Sequence, residues 1–428
     1  MNSQTATSGS PSARLDYLDA TRAFALLLGV VFHASLSFVS SFMGWAVQDI
    51  STSPLVNGFV TVSHSFRMEL FFLLAGFFAC VTLRRTSIAE FVRARALRIL
   101  PPFLIGWFLL RPLLISGWLM GSASLRGDFE FWPAILAGFQ SLKTLAAGIF
   151  TGSHLWFLYY LAMITGLAVA LRATLGMAPA WNARVMAASD RVVGWAANSG
   201  WTLPALALPT AAALWYMRYW GMDTPDQSLV PSLPVLTIYG GFFLLGWALG
   251  RREGAIERIA RLSPARCIAA AAGIAGVLWL APVQSQPSHE HYTAAHVGFV
   301  ASYAVMMWSL VLLTMGVFRI LCDRPRAWVR YVADASYWIY LVHLPTVVWL
   351  QVACAELPLS WAVKLIGISA VTVGLALLTY DLFVRSTWLG AVLNGRRRER
   401  VIFGWATGRV PAIQREAATP ESVAVPTR

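Results

Sequence analysis

The stretch TRAFALLLGVVFHASL (residues 21–36) is apolar except where Arg22 stands near its start and His33 near its end. A helix needs a predominantly apolar run of about 20 residues to cross a bilayer, so this stretch predicts a membrane-spanning helix. Because Arg22 and His33 are eleven positions apart, they share one helix face and lie about 16 Å from each other along the axis. Ionisable side chains are rare within such helices, so both residues are candidates for a functional site.

The whole chain resembles this stretch in composition. Its 428 residues are 57% hydrophobic and only 12% charged, whereas about 25% of the residues of a soluble domain are charged. We therefore predict an all-α polytopic membrane protein with about ten transmembrane helices. The predicted spans are residues 18–39, 58–82, 99–119, 154–174, 203–219, 233–250, 265–283, 295–318, 332–352 and 362–384.

The net charge of +13 reflects arginines that cluster in every second connection between these spans. Cytoplasmic loops carry such an excess, so the pattern predicts that both termini are cytoplasmic and explains the charge without a nucleic-acid partner. In one basic connection, Ser87 and Glu90 form a capping-box pattern, which predicts a short helix on the cytoplasmic face. Residues 1–13 are predicted to be a disordered cytoplasmic tail, and 397–428 a cytoplasmic tail that is basic at first and disordered from about residue 410. The membrane domain between them is predicted at 14–396.

Two further spans carry polar side chains. The second span begins HSFRMELFFLLAGFF, which contains His64, Arg67 and Glu69. Arg67 lies too deep to reach water easily and needs an anionic partner or a wet cavity. In the ninth span, DASYWIYLVHLP, the residues Tyr340 and His343 lie on one polar side of an otherwise apolar helix. Histidine suits proton transfer near neutral pH, so His33 and His343 are candidates for acid–base chemistry.

Other candidates lie at the ends of predicted spans. His154 and Trp156 belong to HLWFLYYL, which opens the fourth span, and Arg95 and Arg98 precede the third. Two arginines on one helix side can hold phosphate groups. Structural roles explain several candidates equally well: Arg22 as a basic anchor, His33 as a histidine bonded between helices, and Arg67 as half of an ion pair.

Neither the cysteines nor the histidine-rich loop predicts a metal site. The four cysteines lack CxxC spacing, and the outer loop SQPSHEHYTAAH offers three histidines with only one acidic residue. We therefore expect no metal and no disulfide framework.

Six motifs together resemble the membrane-bound acyltransferase-3 superfamily and, within it, the glucan biosynthesis protein C (glucan succinyltransferase) branch. They are Arg22-x10-His33, FRMELFFLLAGFF, Arg95-x-x-Arg98 with RILPPF, HLWFLYYL, SYWIYLVHLP and VRSTWLGAVLNG, in the order of the family and spanning residues 14 to about 396. Three positions depart from the family pattern. They are Glu69, Ala75 and Trp338, of which Glu69 and Trp338 bear on substrate preference.

The resemblance implies an enzyme that moves an acyl group, acetyl or succinyl, from cytoplasmic acyl-CoA to a hydroxyl of an extracytoplasmic glycan such as a periplasmic glucan. Arg22, Arg95 and Arg98 would bind the CoA phosphates, and acyl-CoA would be a substrate rather than a bound cofactor. His33 would act as general base or as a transient acyl carrier. Arg67, Tyr340 and His343 would stabilise the oxyanion.

The remaining candidates, His64, Glu69, His154 and Trp156, would contact the substrates. The resemblance also implies a bacterial inner-membrane location among lipids, and it leaves open whether the protein forms a homo-oligomer. Two other functions stay open at this point. A transporter or flippase for a glycan or lipid-linked substrate would also place polar groups inside the membrane, although the chain lacks an evident inverted repeat. A non-catalytic partner subunit is the third alternative.

Overall fold

The computed structural model describes residues 13–124, 130–143, 153–217, 221–226, 228–322, 324 and 326–402. All regular elements among them are helical. The helices are α1 (Ala13–Ser35), α2 (Pro54–Leu83), α3 (Ile88–Ser124), α4 (Phe131–Gln140), α5 (Trp156–Gly176), α6 (Pro179–Asn198), α7 (Thr202–Leu214), α8 (Leu233–Gly250), α9 (Ala255–Ile259), α10 (Pro264–Gln284), α11 (Tyr292–Leu321), α12 (Ala327–Cys354), α13 (Trp361–Thr379) and α14 (Trp388–Asn394).

Nine of the described helices are long and apolar enough to cross a membrane, which confirms the polytopic all-α fold. They correspond to nine of the ten predicted spans. The exception is the predicted span 203–219, where α7 is a 13-residue apolar helix. A helix of that length covers only about 20 Å, which is short of the bilayer core. The cytoplasmic position of the termini remains a prediction.

The predicted short cytoplasmic helix is instead the first part of α3, which continues without a break to Ser124. Its capping box is present: the Ser87 backbone N–H donates to Glu90 Oε2 at 2.9 Å, and the Glu90 N–H donates to Ser87 Oγ at 3.2 Å. The prediction of a separate helix was wrong because Pro101 and Pro102 do not end α3. Proline removes one backbone donor, and a helix tolerates this where another group binds the carbonyl left without a partner.

Helix α1 lies inside the bundle, where it packs against α2, α11, α12 and α13. Helices α2 and α8 pack closely along their length through glycines. A Cβ on Gly76 would collide with the backbone carbonyl of Phe243, and one on Gly246 would collide with that of Leu73. Small residues let membrane helices approach in this way, and the close packing fixes the position of α2 in the bundle.

The bundle has an arginine-rich end, where the basic connections lie, and an opposite end. At the opposite end, the connection between α1 and α2 is fastened by a buried ion pair. Lys364 Nζ lies 2.7 Å from Asp49 Oδ1, and both side chains are at most 2% exposed. In the same connection, the Trp45 indole N–H donates to Gln351 Oε1 at 2.9 Å. This connection therefore closes over the end of α1.

At the arginine-rich end, the packed part of the chain reaches Ile402, beyond the domain boundary at residue 396 expected from the sequence. The backbone N–H of Ile402 donates to Asp381 Oδ2 at 3.1 Å. The predicted tails otherwise lie largely outside the described residues.

Candidate active site

A cavity of about 530 Å³ lies between α1, α2, α3, α5 and α12. Ten of the eleven residues singled out from the sequence line it. They are Arg22, His33, His64, Arg67, Arg95, Arg98, His154, Trp156, Tyr340 and His343. The arginines other than Arg67 lie at the arginine-rich end, and the four histidines, called here the histidine cluster, lie toward the opposite end. One continuous space therefore joins a cationic mouth to a group of imidazoles.

Glu69 is the eleventh candidate, and it does not line the cavity. Its side chain is fully buried, and among the described residues neither carboxyl oxygen has a hydrogen-bond partner. The reason is helical geometry, since residues two positions apart on a helix point in nearly opposite directions. With Arg67 facing the cavity, Glu69 faces away from it, so the expectation that Glu69 contacts a substrate is not supported.

His33 and His343 are in direct contact. His343 Nε2 lies 3.1 Å from His33 Nδ1, and the ring centroids are 5.1 Å apart. Gln351, two turns beyond His343 on α12, donates from its side-chain amide to the backbone carbonyl of His33 at 2.9 Å. Helix α12 therefore fixes both the imidazole and the backbone of His33.

The backbone partners assign the tautomers of this pair. His343 Nδ1 lies 2.7 Å from the carbonyl oxygen of Tyr340, to which it donates. Its Nε2 then carries a lone pair and accepts from His33 Nδ1, which also lies 2.9 Å from the carbonyl of Gly29. In the neutral pair the lone pair of His33 is therefore on Nε2. A nitrogen with that lone pair is what a general base requires.

His154 forms a hydrogen bond with a backbone carbonyl of α12 that lacks its usual helical donor because of a proline. Pro345 lies inside α12 and cannot donate to the carbonyl of Leu341, four residues earlier. His154 Nε2 donates to this carbonyl at 2.9 Å. The Tyr340 hydroxyl in turn donates to the backbone carbonyl of His154 at 2.8 Å. Helix α12 thus also fixes the start of α5 beside the histidine pair.

The same arrangement recurs at the arginine-rich end. Pro102 leaves the carbonyl of Arg98 without its helical donor, and the Tyr337 hydroxyl donates to it at 2.6 Å. Tyr337, which lines the cavity, therefore ties α12 to α3 where the paired arginines lie.

Arg67 is a buried cation with unused hydrogen-bonding capacity. It is 5% exposed and lines the cavity, and its guanidinium carbon lies 4.3 Å above the centre of the Phe32 ring. Its NH1 has no hydrogen-bond partner among the described residues. It packs beside Gly29, one helical turn from His33. A guanidinium so placed can bind an anion that forms or arrives near His33.

His64 is on the other side of Phe32, with the two rings stacked at 5.5 Å between centroids. Its Nε2 donates to the backbone carbonyl of Met222 at 2.8 Å. Met222 and the cavity-lining Thr224 belong to the connection between α7 and α8. The cavity therefore extends from the histidine cluster to a connection at the opposite end.

At the arginine-rich end, Arg22 pairs with Asp19, one helical turn earlier, at 3.2 Å. The Arg95 guanidinium lies 5.4 Å from the centre of the Phe91 ring. Arg98 is exposed toward the mouth. Three cationic side chains around one opening are suited to binding a polyanion.

The middle of the cavity is apolar and aromatic. Phe71 and Phe78 on α2 and Phe157 on α5 are among its lining residues. Such a lining suits a long, weakly polar group that passes through it. Among the described residues, the side chains do not form a group of three or more His, Cys, Asp or Glu that could hold a metal ion.

Sequence reasoning missed several residues of the site. Gln351 and Trp45 support His33 from the opposite end, and Asp334 and Asn394 line the cavity at the arginine-rich end. A signal for Gln351 was present, since it lies eight residues after His343 and so on the same face of α12. Asn394 lies inside the quoted motif VRSTWLGAVLNG but was not singled out there, and Trp45 carries no local signal.

The chain is similar to known proteins along most of its length. A family model described as an acyltransferase domain matches residues 15–381. The chain is 26% identical over 395 residues to glucans biosynthesis protein C of Escherichia coli O157:H7 (strain EC4115 / EHEC). The alignment covers 90% of this chain and 96% of that protein. It is also 26% identical over 402 residues to glucans biosynthesis protein C of Escherichia coli (strain K12 / DH10B), with the same coverage. No solved structure matches the chain.

Proposed function

Because this chain belongs to the acyltransferase-3 family and is a membrane acyltransferase, we propose that it moves an acyl group from acyl-CoA to a hydroxyl of a glycan. The donor enters from the cytoplasm and the glycan lies on the other side of the bacterial inner membrane. The observation that carries this proposal is the contact of His33 with His343 in a cavity whose other end is lined by arginines.

The donor site is at the arginine-rich end. The phosphates of CoA bind Arg22, Arg95 and Arg98, and the pantetheine arm lies along the aromatic middle of the cavity. The helical rise between Arg22 and His33 gives a span of about 16 Å, which an extended arm of this kind can cover. The thioester then lies beside the histidine cluster.

In the transfer step, His33 Nε2 removes the proton of the acceptor hydroxyl while the hydroxyl oxygen attacks the thioester carbonyl carbon. His343 Nε2 and the carbonyl of Gly29 accept from His33 Nδ1 and stabilise the imidazolium. Arg67 stabilises the oxyanion of the tetrahedral intermediate. Collapse of the intermediate breaks the C–S bond, and the departing CoA sulfur takes the proton from His33. The products are the glycan ester and free CoA.

A second course of the same reaction passes through an acyl-histidine. In this course His33 Nε2 attacks the thioester carbonyl carbon, and the C–S bond breaks to release CoA thiolate. The glycan hydroxyl then attacks the acyl-imidazole, the C–N bond breaks to free His33 Nε2, and the hydroxyl proton passes to the thiolate. Mass spectrometry of the protein after incubation with acyl-CoA and no acceptor distinguishes the two courses. A mass increase on the peptide that contains His33 supports the covalent course, and its absence supports direct transfer.

The direct test of the proposal replaces His33. We expect His33→Gln to abolish CoA-dependent acylation of glycan by membranes or purified protein, with the fold retained. His291→Gln is the matched control, because His291 is exposed and does not line the cavity. This variant should acylate glycan as wild type does. Normal acylation by His33→Gln would overturn the assignment. Glycan movement without consumption of acyl-CoA would favour a transporter instead.

A variant of Arg67 tests whether the acyl donor is succinyl-CoA or acetyl-CoA. A succinyl donor carries a free carboxylate that needs a cation, and Arg67 has the unused donor for it. If Arg67 binds that carboxylate, Arg67→Gln raises KM for succinyl-CoA and leaves turnover of acetyl-CoA unchanged. If Arg67 stabilises the oxyanion, kcat falls for both donors, by about 10²-fold. Steady-state kinetics with the two donors separates these outcomes.

A further inference from the structure

The chain after α14 forms a segment that is fastened to the arginine-rich end. We name residues 395–402 the C-terminal strap. Asp381, whose side chain is fully buried, accepts the backbone N–H of Val401 at 2.9 Å and that of Ile402 at 3.1 Å. The Arg385 side chain donates to the backbone carbonyl of Glu399 at 2.6 Å. A buried carboxylate with two backbone donors fixes the end of the strap in place.

The strap neutralises the acidic residue at the cavity mouth. Asp334 lines the cavity, and an unpaired carboxylate there would repel an anionic ligand. Arg398 of the strap lies 3.3 Å from Asp334 Oδ2, and Arg385 lies 3.8 Å from the same oxygen. With Asp334 paired to Arg398, and Asp19 paired to Arg22, the mouth keeps the positive charges of Arg95 and Arg98.

The strap also bounds the space available to Arg98. Gly395 begins the strap with a φ of +80°, a left-handed conformation that glycine adopts without strain. A Cβ at this position would collide with the guanidinium of Arg98. The two residues before the strap, Leu393 and Asn394, line the cavity themselves. The Arg98 guanidinium is therefore placed between the cavity and the backbone of the strap.

We propose that the C-terminal strap is a positioning part of the site for the phosphates of the acyl donor. It leaves room for the Arg98 guanidinium at the mouth through Gly395 and removes the repulsion of Asp334 through Arg398. This inference rests on the proposed function, because it takes acyl-CoA as the ligand of the mouth. It assigns a role in binding to a segment that lies after the residues of the family match, which end at residue 381.

The first test is Gly395→Ala, which displaces the Arg98 guanidinium and strains the turn. Loss of one charge-assisted phosphate contact raises KM for acyl-CoA roughly tenfold or more, while kcat at saturating donor stays unchanged. Gly254→Ala is the matched control, since Gly254 also has a left-handed φ, of +71°, and also lies beside an arginine, Arg258, but not at the cavity. Its KM should equal that of wild type.

A binding measurement separates a positioning role from a structural one. Wild type should bind CoA more tightly than pantetheine, which lacks the phosphates, and Gly395→Ala should lose most of this preference while binding pantetheine as wild type does. Equal weakening of both ligands would mean that the substitution has disturbed the fold, and it would overturn the proposal.

The second test uses the ion pair. Arg398→Ala leaves Asp334 with less positive charge around it and should raise KM for acyl-CoA. Adding Asp334→Asn removes the repulsion and should restore KM toward the wild-type value. A double variant that is no better than Arg398→Ala would contradict the neutralising role.

The outcomes also separate this inference from the proposed function. Wild-type protein that fails to bind CoA would overturn the proposed function and the strap's role with it. Wild-type protein that binds CoA, together with a Gly395→Ala variant of unchanged KM, would overturn the strap's role alone.

Discussion

At the residue scale, the proposed reaction depends on which nitrogen of His33 carries the lone pair. His343 decides this, because its own Nδ1 is committed to the carbonyl of Tyr340 and its Nε2 must accept from His33. A fixed tautomer aims one defined nitrogen of His33 at the reactants, as a second residue does for the catalytic histidine in hydrolytic triads. His343 is thus a positioning residue for His33.

Replacing His343 with Phe removes the acceptor and keeps a ring of similar width. We expect kcat to fall by about 10²-fold or more, because His33 loses both its orientation and the group that stabilises its protonated form. KM for acyl-CoA should change little, since the arginines are untouched. The measurement is steady-state acyl transfer, with His343→Asn, whose side-chain oxygen can still accept, recovering part of the rate. A His343→Phe variant with wild-type kcat would show that His33 acts without it.

At the element scale, the site is built from helices that contain prolines. Pro102 in α3 and Pro345 in α12 each leave a backbone carbonyl without its helical donor, and a side chain from a neighbouring element binds it in each case. These bonds join α12 to α3 and to the start of α5. Since a membrane offers no water to such carbonyls, each bond satisfies a group that would otherwise be costly to bury.

The variant Pro345→Ala tests whether the hydrogen bond at the carbonyl of Leu341 positions His154. The alanine restores the N–H that competes with His154 for the carbonyl of Leu341, so His154 should lose its fixed position. We expect lower kcat with equal or higher thermal stability in detergent, because a helix-interior proline costs about 3 kcal/mol relative to alanine. Pro282→Ala in α10 is the control, since Pro282 lies inside a helix but not at the cavity. An unchanged kcat in Pro345→Ala would show that catalysis does not depend on the fixed position of His154.

The contact of α2 with α8 makes a separate prediction about stability. Gly246→Ala should lower the free energy of unfolding by about 1–3 kcal/mol, because the added methyl group forces the two backbones apart. Gly241→Ala on the same helix has open space around the new methyl group and should be neutral or slightly stabilising. Thermal unfolding of both variants in the same detergent measures the difference. Equal unfolding temperatures would contradict the close packing.

At the scale of the whole molecule, function requires that the arginines face the acyl-CoA pool. The basic connections predict that their end is cytoplasmic. Cys267, exposed in the first turn of α10, reports on that end directly. A membrane-impermeant maleimide should label Cys267 only after the cells are permeabilised. In a His289→Cys variant, the new thiol should be labelled in intact cells. The reverse pattern would invert the topology and exclude a cytoplasmic donor.

The sequence predicted the fold and most of the site because the signals were local. Apolar runs located nine spans, and polar or aromatic residues in or beside those runs located ten of the cavity-lining groups. The prediction failed at α3, because the helix continues through Pro102 with the freed carbonyl of Arg98 bound by Tyr337 on α12. It failed also at Glu69, whose direction depends on which face of α2 meets the cavity. Trp45 and the strap residues after Gly395 depend on contacts between distant segments, which no local pattern encodes. Gln351 had a local signal, its position on the face of His343, that the sequence reasoning did not use.

The closure at the opposite end also matters for energy conservation. A bacterial membrane that stores a proton-motive force cannot contain a continuous wet path lined by histidines, because imidazoles relay protons readily. The buried pair of Asp49 with Lys364 and the bond from Trp45 to Gln351 hold the covering connection over the end of α1. On the proposed function, these contacts would insulate the membrane as well as support His33. A glycan acceptor would then have to reach His33 without breaking that insulation, so its entry and the sealing of the cavity would be coupled.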